Sequence, residues 1–228
     1  MTRLGTISSR ISALLVPEER RLFDGLRTPE AIQDYLDGLS VNFEDGGETY
    51  FSPRRVLRER TAHCFEGALL AAAVLGYHGK KPLLMDFQTL GDDEDHVVAL
   101  FRSHGRWGAI SKTNHAVLRY RDPVYASVRE LAMSYFHEYF TADGVKTLAA
   151  FSAPFDLSRF DPALWLTAED DLHWLAGELD YSRHFATVSR TIIPTLRRAN
   201  RVEVDASYER EWDKQGVRAR ASGRRYQR

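Results

Sequence analysis

Cysteine is almost absent from this sequence, because Cys64 is the one thiol among 228 residues. A lone cysteine excludes an intrachain disulfide and every multi-cysteine zinc pattern, so the fold does not depend on an oxidising compartment. Neither sign of charge is in excess, since 31 Lys and Arg residues stand against 32 Asp and Glu residues. This balance gives no overall attraction to nucleic acid or to an acidic membrane.

Long apolar runs are lacking as well. The sequence has no stretch of about 18 apolar residues, the length that a membrane-spanning helix needs. The apolar run at residues 11–16 is too short for the core of a secretory signal. We therefore expect a cytoplasmic protein with no membrane partner, no nucleic-acid partner, no cofactor and no metal, and we make no prediction of its oligomeric state.

Helix signals dominate the first third of the chain. Apolar spacing predicts a helix over residues 17–26, and Thr28 with Pro29 predicts the start of a second one. Ser52 and Pro53 predict a further short helix. Residues 61–76 are apolar on nearly all sides, which is typical of a buried helix.

The pattern changes to a period of two after this helix. Residues 82–87, 96–102 and 107–111 each predict a strand, and a turn at residues 104 and 105 joins the last two. Three strands after a buried helix indicate an α+β fold. We expect one domain over residues 1–215, with its core at about 52–114.

The remaining segments give weaker signals. Helices are predicted over residues 124–139, over 170–179 with Thr167 as the cap, and over 206–214. The first ten residues are predicted to be mobile. Residues 216–228, rich in arginine, are predicted to be a basic disordered tail.

The sequence RTAHCFE at positions 60–66 carries the strongest chemical signal. With Thr61 as the N-cap, Cys64 would occupy the third position of the helix, close to unpaired backbone N–H groups and the positive end of the dipole. Both lower the pKa of a thiol and favour the nucleophilic thiolate. The same N–H groups are suited to stabilise an oxyanion.

A thiol nucleophile needs a base, and that base needs an orienting group. His96 opens the second predicted strand. If the hairpin turn centres between residues 103 and 104, His96 faces Ser111; if it centres one residue later, His96 faces Thr113 and is diagonal to Ser111. Cross-strand neighbours of this kind are within reach, so Ser111, Thr113 or Asn114 is expected to contact the outer nitrogen of His96.

The order of a Cys at a helix start, a His on a strand and a polar residue on the next strand resembles the transglutaminase-like superfamily, whose fold is related to papain. The resemblance covers about residues 52–114, and residues 105–125 resemble bacterial transglutaminase-like proteins of unassigned role. The R-x-x-x-C-F-E motif at 60–66 also resembles that of arylamine N-acetyltransferases. The resemblance implies Cys64 as nucleophile and His96 as base.

One departure from the family pattern bears on catalysis. The family has W-x-x-x-D-x-T on the third strand, whereas this sequence places Ser111 where the Asp would stand. Ser accepts a hydrogen bond but carries no charge, and loss of such an acid costs about 10⁴ in rate in a serine protease. Asn114 is an alternative orienting group, as an Asn is in papain-like triads.

Four other residues near the motif have open roles. Adjacent helical residues point about 100° apart, so His63 is expected at the rim as a substrate-binding residue rather than as a second base. Lys112 is expected to contact a substrate carboxylate or to be a surface lysine. Glu66 is expected to bind Arg60. Asp86 is expected to reach the site or to be a strand-end charge.

Three functions are compatible with these residues. The first is cysteine-dependent acyl transfer, or hydrolysis of a peptide or small amide, through a Cys64 thioester with His96 as base. The second is a catalytically impaired transglutaminase-like module that binds or acts as a scaffold. The third is a thiol sensor, which would use Cys64 without His96.

Overall fold

The computed structural model describes residues 5–189 and 191–219, and helices account for much of this part of the chain. Most of them begin at a side-chain cap, as when Thr28 accepts the Ala31 N–H and Ser52 accepts the Arg55 N–H. The helices are α1 (Ile7–Leu14), α2 (Pro17–Gly25), α3 (Pro29–Asp37), α4 (Pro53–Glu59), α5 (Cys64–Tyr77), α6 (Val128–Met133), α7 (Pro162–Leu166), α8 (His173–Asp180) and α9 (Arg201–Ser207).

The strands form one main sheet and one small pair. They are β1 (Ser40–Val41), β2 (Thr61–Ala62), β3 (Leu83–Gln88), β4 (His96–Ser103), β5 (Arg106–Ser111), β6 (Arg121–Tyr125), β7 (Ala150–Ser152), β8 (Phe155–Asp156) and β9 (His184–Ala186). β1 and β2 pair in parallel. In the described part of the chain, the other strands form an antiparallel sheet in the order β6-β5-β4-β3-β7-β9, with β8 on β3. The expected mixture of helices and a small antiparallel sheet is confirmed.

The sheet is apolar on both faces because helices cover both. Successive strand residues point to opposite sides, so Ala99 joins the core cluster that contains α5, whereas Val98 and Leu100 join the cluster that contains Leu131 of α6. This arrangement explains why the burial of β4 is continuous from His96 to Phe101. The sequence pattern of β4 is therefore a run of apolar residues rather than a strict alternation.

Helix α5 is the centre of the larger core, as its apolar composition predicts. Every residue from Phe65 to Gly76 is buried. Two glycines let neighbours approach closely: a Cβ on Gly67 would lie 2.4 Å from Cβ of Lys112, and one on Gly76 would lie 2.8 Å from Cδ1 of Ile11. The helix that carries Cys64 is thus held on several sides.

The helix predicted over residues 124–139 is wrong in its first part. Tyr125 ends strand β6 and pairs with Trp107, and Pro123 favours extended backbone before it. Helix α6 starts only after Ser127, whose hydroxyl caps the Glu130 N–H. A 3₁₀ turn at Phe136–Glu138 follows.

Two later helices start elsewhere than predicted. The Asp171 carboxylate accepts hydrogen bonds from the Tyr50 N–H and from Arg55, which holds it outside the helix, and α8 begins at His173. Thr167 does not cap α8, because it lies at the end of α7 and donates to the Ala163 carbonyl. In place of a helix at 206–214, α9 is capped by Asn200 and ends at Ser207.

The two termini also differ from the predictions where they are described. Residues 7–14 form α1, and Ile11 packs against α5, so this part of the first ten or so residues is ordered. In the predicted tail, Arg218 pairs with Glu211, while residues 1–4 and 220–228 lie outside the described residues. No helix in the described part of the chain is both long and apolar enough to cross a membrane.

Candidate functional site

Cys64 is the first residue of α5, not the third as predicted. The residue that precedes the helix is His63, and the two residues before it form β2, where Ala62 pairs with Val41 and its carbonyl accepts the Asn42 N–H. Thr61 is therefore part of a strand and cannot cap the helix. Cys64 still lies at the end of the helix where the backbone N–H groups point outward.

His96 makes the contact with Ser111 that the sequence predicts as one of its options. The register Val98↔Ser111 makes His96 diagonal to Ser111, which is the second of the two registers considered. Nε2 of His96 lies 2.8 Å from Oγ of Ser111, and the Ser111 hydroxyl donates to the Leu118 carbonyl at 2.5 Å. The Ser111 hydroxyl has one proton, and it is donated to the Leu118 carbonyl. Ser111 must therefore accept a hydrogen bond from Nε2 of His96, which means that Nε2 carries a proton. Nδ1 is then the nitrogen that can act as a base.

His63 faces the thiol, in contrast to the rim position predicted for it. Its Nδ1 lies 3.9 Å from Sγ of Cys64, and its Nε2 lies 2.8 Å from the carbonyl oxygen of Thr49. The ring is 16% exposed. Because His63 precedes the first helical turn and has extended backbone, the 100° rule for adjacent helical residues does not apply to it.

Glu66 is a buried carboxylate that ties this part of the site together. Its Oε1 lies 3.4 Å from Nε2 of His63, and its Oε2 accepts the His63 backbone N–H at 3.0 Å. The carboxylate also accepts hydrogen bonds from three groups in the loop before α4: the Asn42 amide, the Thr49 hydroxyl and the Phe51 N–H. The predicted pairing of Glu66 with Arg60 is therefore wrong.

The two imidazoles control the ionisation of Cys64. Burial raises the pKa of the thiol, but the hydrogen bonds that His63 and His96 offer the sulfur, and the positive charge that either ring can carry, outweigh burial and lower the pKa to about 6. Burial also opposes the charge on His63, yet the contacts with Cys64, Glu66 and the Thr49 carbonyl raise the His63 pKa to about 9. Near neutral pH the thiol is therefore ionised and His63 is protonated.

Asn114 does not orient His96. Its side-chain NH₂ donates to the Trp212 carbonyl at 3.0 Å, and its side-chain oxygen accepts the Trp212 N–H at 2.7 Å. The amide pairs with the backbone of a segment near the C-terminus, 98 residues along the chain. Its structural role is to hold that segment beside the end of β5.

Lys112 neither binds at the site nor lies on the surface. It is 1% exposed, and its Nζ donates to the carbonyls of Leu36 and Leu39 at 2.9 and 2.6 Å. These carbonyls belong to the C-terminal end of α3, where backbone acceptors have no helical partner. The Lys112 amine therefore caps the end of a helix, and neither the predicted contact with a substrate carboxylate nor the predicted surface position is found.

Asp86 forms a separate pair with His184. Its Oδ2 lies 3.0 Å from Nε2 of His184, whose Nδ1 lies 2.8 Å from the Ser182 carbonyl. Burial opposes the charge, but these two acceptors raise the His184 pKa. His184 also lines an open groove of about 550 Å³ beside β7 and β9, whose walls do not include Cys64 or His96.

Of the residues predicted from the sequence, Cys64, His96 and Ser111 belong to one site: His96 contacts Ser111 and lies close enough to Cys64 to lower the pKa of the thiol. The sequence reasoning missed Glu66 and the orientation of His63. A Glu three residues after the N-cap is half of the capping-box signal, but His63 stands where that signal has Ser or Thr, so the sequence marks this contact only in part. A search of protein-family models finds no match to the chain, and a search of curated proteins finds no relative.

Proposed function

We propose that this protein uses Cys64 as a nucleophile in acyl transfer or in hydrolysis of a peptide or small amide. The observation that supports it best is the position of the thiol: the first residue of a buried helix, flanked by two imidazoles that lower its pKa to about 6. A structural cysteine in an apolar core has the opposite shift, toward a higher pKa.

The chemistry follows from the positions of these groups. The Cys64 thiolate attacks the carbonyl carbon, forming a C–S bond as the carbonyl oxygen becomes an oxyanion beside the first backbone N–H groups of α5. The C–N bond then breaks, and the amine leaves with a proton. His96, through Nδ1, takes a proton from water or from an acceptor amine, which attacks the thioester and releases Cys64.

The order of these residues along the fold also supports a transglutaminase-like assignment. A Cys at a helix start, a His at the first position of a strand and its polar partner on the next antiparallel strand reproduce the arrangement of that superfamily as the sequence suggested it. The assignment remains part of this proposal. Substrates of the superfamily type, a peptide or a glutamine side chain, are therefore the first to test.

A second candidate function is a binding or scaffold module that has lost turnover. Ser111, which is neutral, occupies the position next to Nε2 of His96 where a carboxylate would stabilise an imidazolium. Without a carboxylate at this position, His96 is still oriented by Ser111, but its protonated form is stabilised less. This contact is the specific observation that favours the second function.

Intact-mass spectrometry of the protein after exposure to acyl donors separates the two functions. The donors are p-nitrophenyl acetate and a blocked glutaminyl-glycine peptide, each with and without a primary amine. We expect an adduct of the acyl mass on Cys64 that hydroxylamine removes, that turns over with time, and that Cys64→Ala abolishes. His104→Gln, in the exposed β4–β5 turn, is the control and should behave as the wild type.

Two results would count against acyl transfer. An acetyl adduct that forms from the activated ester but never turns over would assign the protein to the binding class. No adduct from either donor, with a thiol that iodoacetamide alkylates readily, would exclude acyl chemistry on these substrates.

A further inference from the structure

The residue before the nucleophile has the contacts of a group that holds a proton. Nε2 of His63 lies 2.8 Å from the Thr49 carbonyl oxygen and 3.4 Å from Oε1 of Glu66. A backbone carbonyl can only accept, so Nε2 must carry a proton. In the neutral ring the other nitrogen, Nδ1, then has a lone pair, and that nitrogen lies 3.9 Å from Sγ of Cys64.

This geometry fixes where the thiol proton can go. When the S–H bond of Cys64 breaks and an N–H bond forms at Nδ1 of His63, the ring becomes an imidazolium with a donor on each nitrogen. One donor faces the thiolate, and the other faces the Thr49 carbonyl and the Glu66 carboxylate. Charge-assisted contacts of this kind are the stronger hydrogen bonds in proteins.

We propose that His63 is a catalytic residue: it takes the proton of Cys64 and forms the resting thiolate–imidazolium pair, which leaves His96 neutral as the base of the second half-reaction. This inference rests on the proposed function. In a single Cys–His dyad one imidazole performs both proton transfers. Here His63 accepts the thiol proton, and His96 activates the water or the acceptor amine.

The surroundings of the two rings support this division. Glu66 is fully buried and lies against His63, so a negative charge stabilises the cation on that ring. His96 has a neutral partner, Ser111, on its outer nitrogen. A carboxylate therefore supports the ring that must stay charged, and a hydroxyl supports the ring that must pick up a proton only transiently. The absence of an acid at position 111 becomes compatible with turnover.

The leaving amine also has a proton donor in this arrangement. During acylation His63 gives its Nδ1 proton to the departing nitrogen as the C–N bond breaks. The proton that His96 removes from water or from the acceptor amine later returns to the sulfur or to His63 when the thioester breaks. Protons balance over the cycle, and no other reactant is needed.

The rate of Cys64 alkylation by iodoacetamide against pH tests the inference in the full chain. We compare wild type, His63→Gln, His96→Gln and the control His104→Gln. For wild type the rate should be half-maximal near pH 6. In His63→Gln this midpoint should move up by about 2 pH units, toward the ordinary thiol value of about 8.5. In His96→Gln it should move by less than about 1 unit, while turnover of the thioester is lost.

A measurement on the unaltered protein guards against a variant that fails to fold. The ¹⁵N chemical shifts of the His63 ring should show both nitrogens protonated at pH 7.5 and a titration near pH 9. Cys64→Ala should lower the pKa of His63, because the negative charge of the thiolate is removed.

The possible failures are distinguishable. A neutral His63 ring at pH 7.5, or an unchanged alkylation profile in His63→Gln, would overturn this inference and leave the nucleophile intact with His96 as its partner. A wild-type thiol that titrates near 8.5 would instead remove the basis of the proposed function itself.

Discussion

The side chain of Gln33 hydrogen-bonds to both backbone groups of Ser111. Its Oε1 accepts the Ser111 N–H at 2.9 Å, and its Nε2 donates to the Ser111 carbonyl at 2.8 Å. An amide side chain on α3 thus takes the place of a neighbouring strand at the end of β5. Gln33 thereby sets the position of the serine that His96 contacts.

Replacing Gln33 by Leu should cost stability and turnover together. The buried N–H and C=O of Ser111 would lose their partners, at about 1–3 kcal/mol for each unsatisfied group. Urea unfolding should show this loss, and the rate of thioester breakdown should fall while the pH midpoint of alkylation stays in place. Gln88→Leu is the matched control, since the Gln88 side chain lies on β3 and contacts Asp180 rather than Ser111, and it should change stability by less than about 0.5 kcal/mol.

Ser111→Ala tests the role of the hydroxyl alone. The variant leaves Nε2–H of His96 and the Leu118 carbonyl without partners. Thioester hydrolysis should fall by about 10²-fold, as expected when a general base loses its orientation. The alkylation midpoint should stay within about 0.5 pH unit of wild type, because His63 holds the thiolate. An unchanged hydrolysis rate would show that His96 needs no orienting partner.

Lys112 should make stability depend on pH in the alkaline range. Burial lowers its pKa to about 8, below the ordinary value of about 10.4. Between these values the unfolded chain binds a proton that the folded chain has lost, so the free energy of unfolding rises with pH. The rise from pH 8 to 9.5 should be roughly 1–2 kcal/mol by this linkage.

The Lys112→Met variant should lack this rise. It should also lose about 1–3 kcal/mol at pH 7.5, since the Leu39 carbonyl loses the Lys112 donor and the Leu36 carbonyl keeps only the Leu39 N–H. Lys80→Met, at an exposed position, is the control and should keep the wild-type dependence. Because His63 and Cys64 also titrate in this range, the difference between the wild-type and Lys112→Met profiles is the measure of the Lys112 contribution. Parallel profiles would mean that the buried amine stays charged.

Gly67 and Gly177 should respond in opposite directions to the same substitution. Both lie inside helices, but a Cβ on Gly67 would lie 2.4 Å from Cβ of Lys112, whereas one on Gly177 meets nothing within 4 Å. Gly67→Ala should destabilise by about 1–3 kcal/mol through overpacking. Gly177→Ala should stabilise by about 0.5–1 kcal/mol through helix propensity. Equal effects would show that α5 can shift away from Lys112.

Local signals made much of the architecture predictable. The caps at Thr28 and Ser52 and the apolar composition of α5 predicted three helices, and two short apolar segments on either side of a Gly turn predicted the β4–β5 hairpin. The hairpin in turn brought His96 to Ser111, since side chains two positions apart across strands are neighbours. These features depend on residues close together in the sequence.

Contacts between distant residues were not predictable in this way. Gln33 and Ser111 lie 78 positions apart, and Lys112 lies 76 positions from the Leu36 carbonyl it caps. Strands β7 and β9 have three residues each, too few to show a period. The placement of such elements follows from packing, which a single sequence does not display.

The one-residue connection between β2 and α5 has a consequence for how this chain can vary. His63 alone joins a paired strand to the helix, and its neighbour on the helix side is the nucleophile. An insertion or deletion there would rotate Cys64 away from both rings or break the β1–β2 pair. The exposed segment around Gly46 and Gly47, by contrast, has space for added length. The residues on either side of that segment, Glu44 and Thr49, contact His63. A recognition loop grafted near the site should therefore extend residues 46–47 and leave the His63 connection unchanged.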